Sequence, residues 1–334
     1  MHQNSALHKR LQSDGIPVVA LPSISTKALW SNAKSLAQLA EEQETDVLHF
    51  HHKMDLKLAV LAKILSKQKF KLVYTRHMHI ASSKKDPWHR FFYKRIDLFI
   101  TITEQMRQTA LRYIPLPANA IKCLYSGVKA PAHFQVSNCQ NLFAEEKYKA
   151  PFRVAIFARI ERNKGQHLVL EAAKALHDNY PALHYYIFGL PSDEAYHQSL
   201  LQQVAQEGLS DYIHFKGFHT QPTAIMPCFD VVLLPSLNES FGLVLPEAMR
   251  AGVAVIGSNF GGIPEIIDDM ETGMLFENGN TKDLASKLKL LYQNKELREK
   301  LAKQGKQKAD RIFSEEQHYL DLEQLYLSYF NLPD

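Results

Sequence analysis

Two carboxylates, Glu239 and Glu247, bound the segment Glu239-Ser-Phe-Gly-Leu-Val-Leu-Pro-Glu247, which follows an apolar run ending at Pro235. Pro246 has the fixed φ suited to the first turn of a helix, and Gly252 suits its end. Glu247 then falls in the first helical turn, where the macrodipole stabilises a carboxylate. Gly242 lets the backbone come close to a ligand and leaves its N–H free to donate. The two glutamates alone could be structural residues flanking a loop; a strand, a glycine-containing loop and a helix start around them point to ligand chemistry. Upstream, a second apolar run ends in Arg159 and is followed by Ile-Glu-Arg-Asn-Lys164-Gly165 and a helical stretch. Two cations and free N–H groups at one helix N-terminus make an anion site. An Arg and a Lys five apart can also be plain surface residues.

A third group gathers in the first half: His49, His51 and His52 end one expected strand, while His77 and His79 follow the next, Lys71-Leu-Val-Tyr-Thr75-Arg-His77. Histidines this close could hold zinc, but no Cys partner and no H-E-x-x-H arrangement accompanies them, so no metal site is expected.

The E-x7-E element resembles the donor-site signature of the retaining glycosyltransferases of glycosyltransferase family 4, which have the GT-B fold of two facing Rossmann-like domains with parallel sheets. The similarity continues through Met249-Arg-Ala-Gly-Val-Ala-Val-Ile-Gly-Ser and Gly261-Gly262-Ile263-Pro264-Glu265. It implies that Glu247 holds the ribose hydroxyls of a nucleotide, that Glu239 faces the transferred sugar, and that the backbone around Ser240, Phe241, Gly242 and Leu243 binds the sugar or the distal phosphate. Gly189, Phe218 and Gly262 complete the implied donor-binding set. Arg159 and Lys164 resemble the Arg and Lys of the family's G-R-x…K-G element, which bind the diphosphate; Ala158 stands where the Gly is usual. Fixed positive charge there would stabilise the charge that grows on a leaving diphosphate. Thr75-Arg-His77 resembles the T-x-H loop whose His contacts the donor sugar, which makes His77 the fourth implied catalytic residue beside Glu239, Arg159 and Lys164. Ser126-Gly127-Val128 with Phe134 resembles the turn that closes the family's N-terminal domain, with Ser126 in place of Asn. Family members usually begin with a strand and a Gly-rich loop ahead of a segment like Leu7 to Leu21, so the resemblance implies an incomplete N-terminal domain. It further implies a nucleotide diphosphate sugar as co-substrate, a saccharide or lipid-linked acceptor, and no cofactor. No D-x-D triplet of the metal-dependent transferases is present, and G-x-G-x-x-G and P-loop signatures are absent, which weakens dehydrogenase and kinase readings. A non-catalytic nucleotide-sugar-binding protein and a nucleotide-sugar epimerase stay open beside the transferase.

These residues need a scaffold, and the hydrophobic pattern supplies one. After residue 150 short β-rich runs alternate with amphipathic helical stretches: strands at Arg153–Arg159, His184–Gly189, Ile213–Phe218, Val231–Pro235, Ala254–Ser258 and Gly273–Phe276, with a helix over Gln166–Asn179. That alternation means α/β structure with a parallel sheet covered on both faces. The first half repeats it less completely, with strands at Ile16–Leu21, Asp46–Phe50, Lys71–Thr75, Leu98–Ile102 and Ile121–Tyr125 and helices at Trp30–Gln43 and Leu56–Ser66. The pattern divides the chain into an N-terminal domain over 1–130, an irregular linker over 131–150, a nucleotide-sugar domain over 151–313, and a tail over 314–334 with Ser314 as N-cap, expected to pack back on the first domain.

A chain of 334 residues exceeds the size at which one core usually stops growing, in keeping with two domains. With 46% apolar and 22% charged residues, disorder and fibrous structure are excluded. No run approaches the ~20 apolar residues of a membrane span, and Met1 to Arg10 lacks the apolar core of a signal peptide, so a cytoplasmic location is expected. Three cysteines without a C-x-x-C pair suggest separate thiols rather than disulfides. Residues 1–150 hold 22 Lys+Arg against 11 Asp+Glu, and the remainder 17 against 24. The excess concentrates in Lys53 to Arg95, where 12 cations face Asp55 and Asp86. It could be a solvated face, an anionic acceptor site or a surface for an anionic membrane. Nucleic acid is not expected, since no aromatic-interleaved or helix-turn-helix pattern accompanies it. Trp88, Phe91 and Phe92 lie within this basic stretch and could either join an amphipathic surface or sit in the core.

Overall fold

The computed structural model describes residues 6–19, 28–131, 134–143 and 151–330, and its packing divides the chain into two units between Leu124 and Tyr125. The first unit holds four strands, β1 (Val47–Phe50), β2 (Lys71–Arg76), β3 (Leu98–Thr101) and β4 (Ile121–Cys123), in one parallel sheet of order β1-β2-β3-β4. Parallel strands must be buried on both faces, because crossover helices cover them. Leu72, Val73, Tyr74, Leu98, Phe99 and Ile100 are accordingly inaccessible to solvent. Helices Leu29–Glu42, Leu56–Leu65 and Glu104–Tyr113 supply the cover, the last capped by Thr103, whose hydroxyl accepts the Met106 N–H at 3.1 Å. Of the strand expected at Ile16–Leu21, residues 16–19 form none; the rest lies outside the described residues.

The second unit carries β5 (Phe152–Phe157), β6 (Leu183–Phe188), β7 (Ile213–Gly217), β8 (Val231–Leu234), β9 (Ala254–Ser258) and β10 (Met274–Phe276). All are parallel, in the order β10-β9-β8-β5-β6-β7. Alternate residues Val154, Ile156, Tyr185, Ile187, Val231 and Leu233 point into one core with Leu168, Val169, Leu284 and Leu288 from flanking helices. Both units are therefore Rossmann-like α/β sheets.

Two expectations change, at the described residues 134–143 of the linker and at the cysteines. A helix, Val136–Leu142, forms inside the segment expected to be irregular, and Cys139 from it is joined to Cys228 in a disulfide with a Cα–Cα distance of 5.3 Å. The Asn138 amide also donates to the Ala224 carbonyl at 3.1 Å. The partners lie 89 residues apart, so no local spacing could reveal the pair; packing of the helix against the turn before β8 creates it. Cys123 takes no part in this bridge.

Tyr125 to Val128 belong with the second unit. Val128 pairs with Ser314 ahead of the helix Glu315–Phe330, whose first turn is capped by the Ser314 hydroxyl accepting from Gln317 N–H at 3.1 Å. A Cβ on Gly127 would sit 2.7 Å from His318 Cβ, so only glycine admits this approach. The buried Arg250 locks the junction, donating to the Val128 carbonyl at 2.5 Å and to Asp310 at 3.0 Å.

Candidate active site

In the second sheet β5 and β8 are neighbours whose chain connections leave in opposite directions, β5 toward β6 and β8 toward β9. The crevice at the carboxyl ends of such a pair is where open α/β sheets bind ligands. The loop after β5 runs from Ala158 to Gly165, and the loop after β8 from Pro235 to Leu243. Gly165 has φ +71°, and a Cβ there would stand 2.0 Å from the Pro235 carbonyl oxygen, so the two loops can touch only through glycine. The Leu237 N–H then donates to the Asn163 carbonyl at 2.9 Å.

That approach brings the Lys164 ammonium to 2.7 Å from Glu239 Oε2, both side chains being mostly buried. The Ser236 hydroxyl donates to the same oxygen at 3.3 Å. The loop after β9 closes on Glu239 as well: Gly261 has φ +64°, and a Cβ on it would lie 1.9 Å from the Glu239 carbonyl oxygen. Ser258 at the end of β9 donates to the Ser236 carbonyl at 2.6 Å, and Asn278 beyond β10 donates to the Leu237 carbonyl at 3.1 Å. Glu239 is thus held by three loops and a cation.

Glu247 stands differently. It lies in the first turn of the helix Val244–Arg250, and among the described residues its carboxylate has no hydrogen-bond or ion-pair partner. Burial alone pushes its pKa up to about 7. Just ahead of it, the N–H groups of Ser240, Phe241, Gly242 and Leu243 find no acceptor among the described residues. Free amides at a helix start attract anionic oxygens. Phe241 is buried beside Tyr125 and Phe313, leaving only its backbone to a ligand.

Arg159 ends the β5 segment with an exposed guanidinium, 3.2 Å from Glu161. Its carbonyl is held by the buried Gln166 amide at 2.8 Å. Gly189 follows β6 and donates to the Gly217 carbonyl at 2.8 Å; Phe218 follows β7 and, like Leu243, is exposed. Gly262 directly precedes the short helix Ile263–Ile266.

The fold therefore gathers Arg159, Lys164, Glu239, Ser240, Phe241, Gly242, Leu243 and Gly262 on loops, and Glu247 on a helix start, at the carboxyl ends of the second sheet's strands, with Gly189 and Phe218 at the ends of β6 and β7. His77 belongs to the first unit, at the carboxyl end of β2, where its Nε2 lies 3.0 Å from His51 Nδ1. His49 Nε2 lies 2.7 Å from the Thr75 hydroxyl. Among the described residues no three His, Cys, Asp or Glu side chains are placed to hold a metal ion. Ser236, Ser258, Gln166 and Asn278 were not singled out from sequence. For Ser236 and Ser258 the available signal was position alone, since each stands at the carboxyl end of a strand in the sheet.

Residues 140–308 match the family described as Glycosyl transferases group 1, and residues 5–130 match Glycosyltransferase Family 4. The chain is 27% identical to N-acetyl-alpha-D-glucosaminyl L-malate synthase of Bacillus anthracis over 303 residues, covering 88% of this chain and 77% of that one. The fold is similar to that of a glycosyltransferase from Rickettsia africae, with a TM-score of 0.90, 19% identity, and 99% of this chain and 89% of that one covered. It is also similar to Anabaena HepE, solved in complex with UDP, with a TM-score of 0.86, 21% identity, and coverage of 98% and 90%.

Proposed function

Because this chain belongs to the group 1 glycosyl transferases, with a first half of glycosyltransferase family 4, we propose that the enzyme transfers a sugar from a nucleotide diphosphate donor to a saccharide or lipid-linked acceptor on the cytoplasmic side of a membrane. The transfer proceeds without a metal ion and with retention of anomeric configuration. The observation that carries this reading is the contrast on one sheet edge between Glu247, partly buried and without a polar partner among the described residues, and the Lys164–Glu239 pair beside it. A desolvated carboxylate suits a pair of hydroxyl donors such as those of a ribose, because each hydrogen bond offsets a burial cost already incurred.

The diphosphate lies against the free N–H groups of residues 240–243 and the Arg159 and Lys164 cations, with Glu239 toward the sugar hydroxyls. The bond from the anomeric carbon to the distal phosphate oxygen breaks while the acceptor oxygen bonds to that carbon, and the acceptor's proton leaves with the diphosphate or to water. The charge arriving on the diphosphate is met by cations already in place. The UDP complex of HepE is consistent with a donor of this class.

The test is a thermal-shift screen of nucleotide diphosphate sugars, because a ligand bound only by the folded state raises its stability. Proton NMR of the early product then follows with the donor that binds. Retained stereochemistry and a rate unchanged by EDTA are expected. Inverted product or a strict divalent requirement would remove the mechanism, and donor binding without transfer to any added alcohol would favour a binding protein or an epimerase.

A further inference from the structure

The helix Pro87–Tyr93 in the first unit carries two aromatic side chains that its own core does not take up. Phe92 and Tyr93 are buried, whereas Trp88 is 60% and Phe91 45% exposed. Positions three apart share a helix face, so Trp88 and Phe91 stand side by side, each edge-on to the buried Phe92 with ring centroids 5.1 Å away. The alternative of a core position, left open by the sequence, therefore holds for Phe92 alone.

Each exposed ring has a cation over it. The Lys57 ammonium, from the helix Leu56–Leu65, lies 5.3 Å from the Trp88 ring centroid, and the Arg95 guanidinium 3.9 Å from that of Phe91. Arg90 and Lys94 extend from the same helix end, and Lys53 precedes Lys57 with Met54, itself exposed. Among the described residues, Lys53, Lys57, Arg90 and Lys94 have no carboxylate partner; of the acids in this stretch, Asp86 caps the helix and pairs with His89, Asp97 pairs with Lys63, and the exposed Asp55 stands between Lys53 and Lys57. The result is a surface of exposed aromatic rings rimmed by a net excess of positive charge.

We propose that this surface seats the protein on an anionic lipid bilayer, with the Trp88 and Phe91 rings at headgroup depth and the surrounding cations against the lipid phosphates. Tryptophan has an apolar body and a polar tip suited to that boundary, and Lys and Arg stems reach along apolar surface while their charges stay at the headgroups. An acidic protein would also meet the charge and the rings, but the exposed Met54 and the long Lys and Arg stems beside Trp88 and Phe91 suit the boundary between headgroups and acyl chains. The attraction is felt only within the Debye length, about 8 Å at physiological salt. The inference extends the proposal of a membrane-side acceptor, but it concerns docking alone and is tested without activity.

The probe is co-sedimentation of the full chain with vesicles of phosphatidylcholine alone or mixed with phosphatidylserine, alongside tryptophan emission of a Trp30→Phe variant that leaves Trp88 as the reporter. Binding to the anionic vesicles only, a blue shift of Trp88 emission, and release at high salt are expected. Lys57→Glu with Arg90→Glu should weaken binding about tenfold or more, and Trp88→Ala should weaken it while leaving thermal stability nearly unchanged. No binding at low salt, binding without a Trp88 shift, or binding indifferent to the charge reversals would overturn the proposal. So would capture of an acidic protein by the same face with no affinity for lipid. A failed donor screen with intact vesicle binding would instead count only against the reaction assigned above.

Discussion

At the scale of single residues, the Glu247 carboxylate is partly withdrawn from water without a compensating partner among the described residues, and that cost has consequences that can be measured. Its folded pKa of about 7 lies above the ordinary 4.5. Between those values the folded protein binds a proton that the unfolded chain has released, so stability falls as pH rises through this window and stays lowered above it. At 1.36 kcal/mol per pKa unit the penalty is on the order of 3 kcal/mol. Glu247→Gln should therefore melt a few degrees higher than the wild type at pH 8, and at about the same temperature at pH 4.5 or below. The same substitution should weaken nucleotide binding by about 1 to 3 kcal/mol through loss of charged hydrogen bonds. In the wild type, affinity should rise from pH 5.5 to 8 with proton release on binding, visible by calorimetry in buffers of differing ionisation enthalpy. Unchanged nucleotide affinity in Glu247→Gln would rule out the ribose role. Lys164→Ala and Arg159→Ala should each lower turnover by about 10² or more, and Glu239→Ala should lower turnover more than donor affinity. These side chains were singled out because the E-x7-E and R…K-G elements resemble family motifs of local spacing; the residue types alone left plain structural and surface readings open. Ser236, which completes the hold on Glu239, was not, since a serine has too many ordinary uses to be singled out.

At the scale of elements, the site exists because loops from three strands approach more closely than any side chain permits. Gly165→Ala would set a Cβ 2.0 Å from the Pro235 carbonyl at φ +71°, and should cost about 1 to 3 kcal/mol while drawing Lys164 away from Glu239. A lowered melting temperature together with reduced turnover is expected; wild-type turnover would show that the loop contact does not position Lys164. The Cys139–Cys228 bridge anchors a helix that hydrophobic pattern alone did not reveal, because Val136-Ser-Asn-Cys-Gln-Asn-Leu142 has little apolar periodicity. Cys139→Ser should lower stability by about 2 to 4 kcal/mol, and added reductant should have no further effect on that variant. A melting curve identical to the wild type under oxidising conditions would show that packing holds the helix unaided. The strands were readable to within two residues at most ends, since buried parallel strands are continuous apolar runs bounded by Gly, Pro and charge.

At the scale of the whole molecule, the chain consists of two units with separate cores, and the one from Tyr125 onward contains every assigned donor-binding residue. Expressed alone, residues 125–334 should fold and keep donor affinity within about tenfold, corresponding to 1.4 kcal/mol, and should transfer nothing if His77, in the other unit, has the sugar-contacting role that the family resemblance implies. Failure to bind donor when folded would place part of that site in the first unit. The sequence by itself determined the α/β class, the two parallel sheets, the family, and the identity of the charged residues on the strand ends. Those properties follow from hydrophobic period and from short motifs whose spacing is local. Only the tertiary structure decided the pairing of Lys164 with Glu239 across β5 and β8, the isolation of Glu247, the disulfide, and the exposure of Trp88 and Phe91. Each of these depends on which distant segments come together and how much water they exclude, and neither quantity is written in the spacing of residues along the chain.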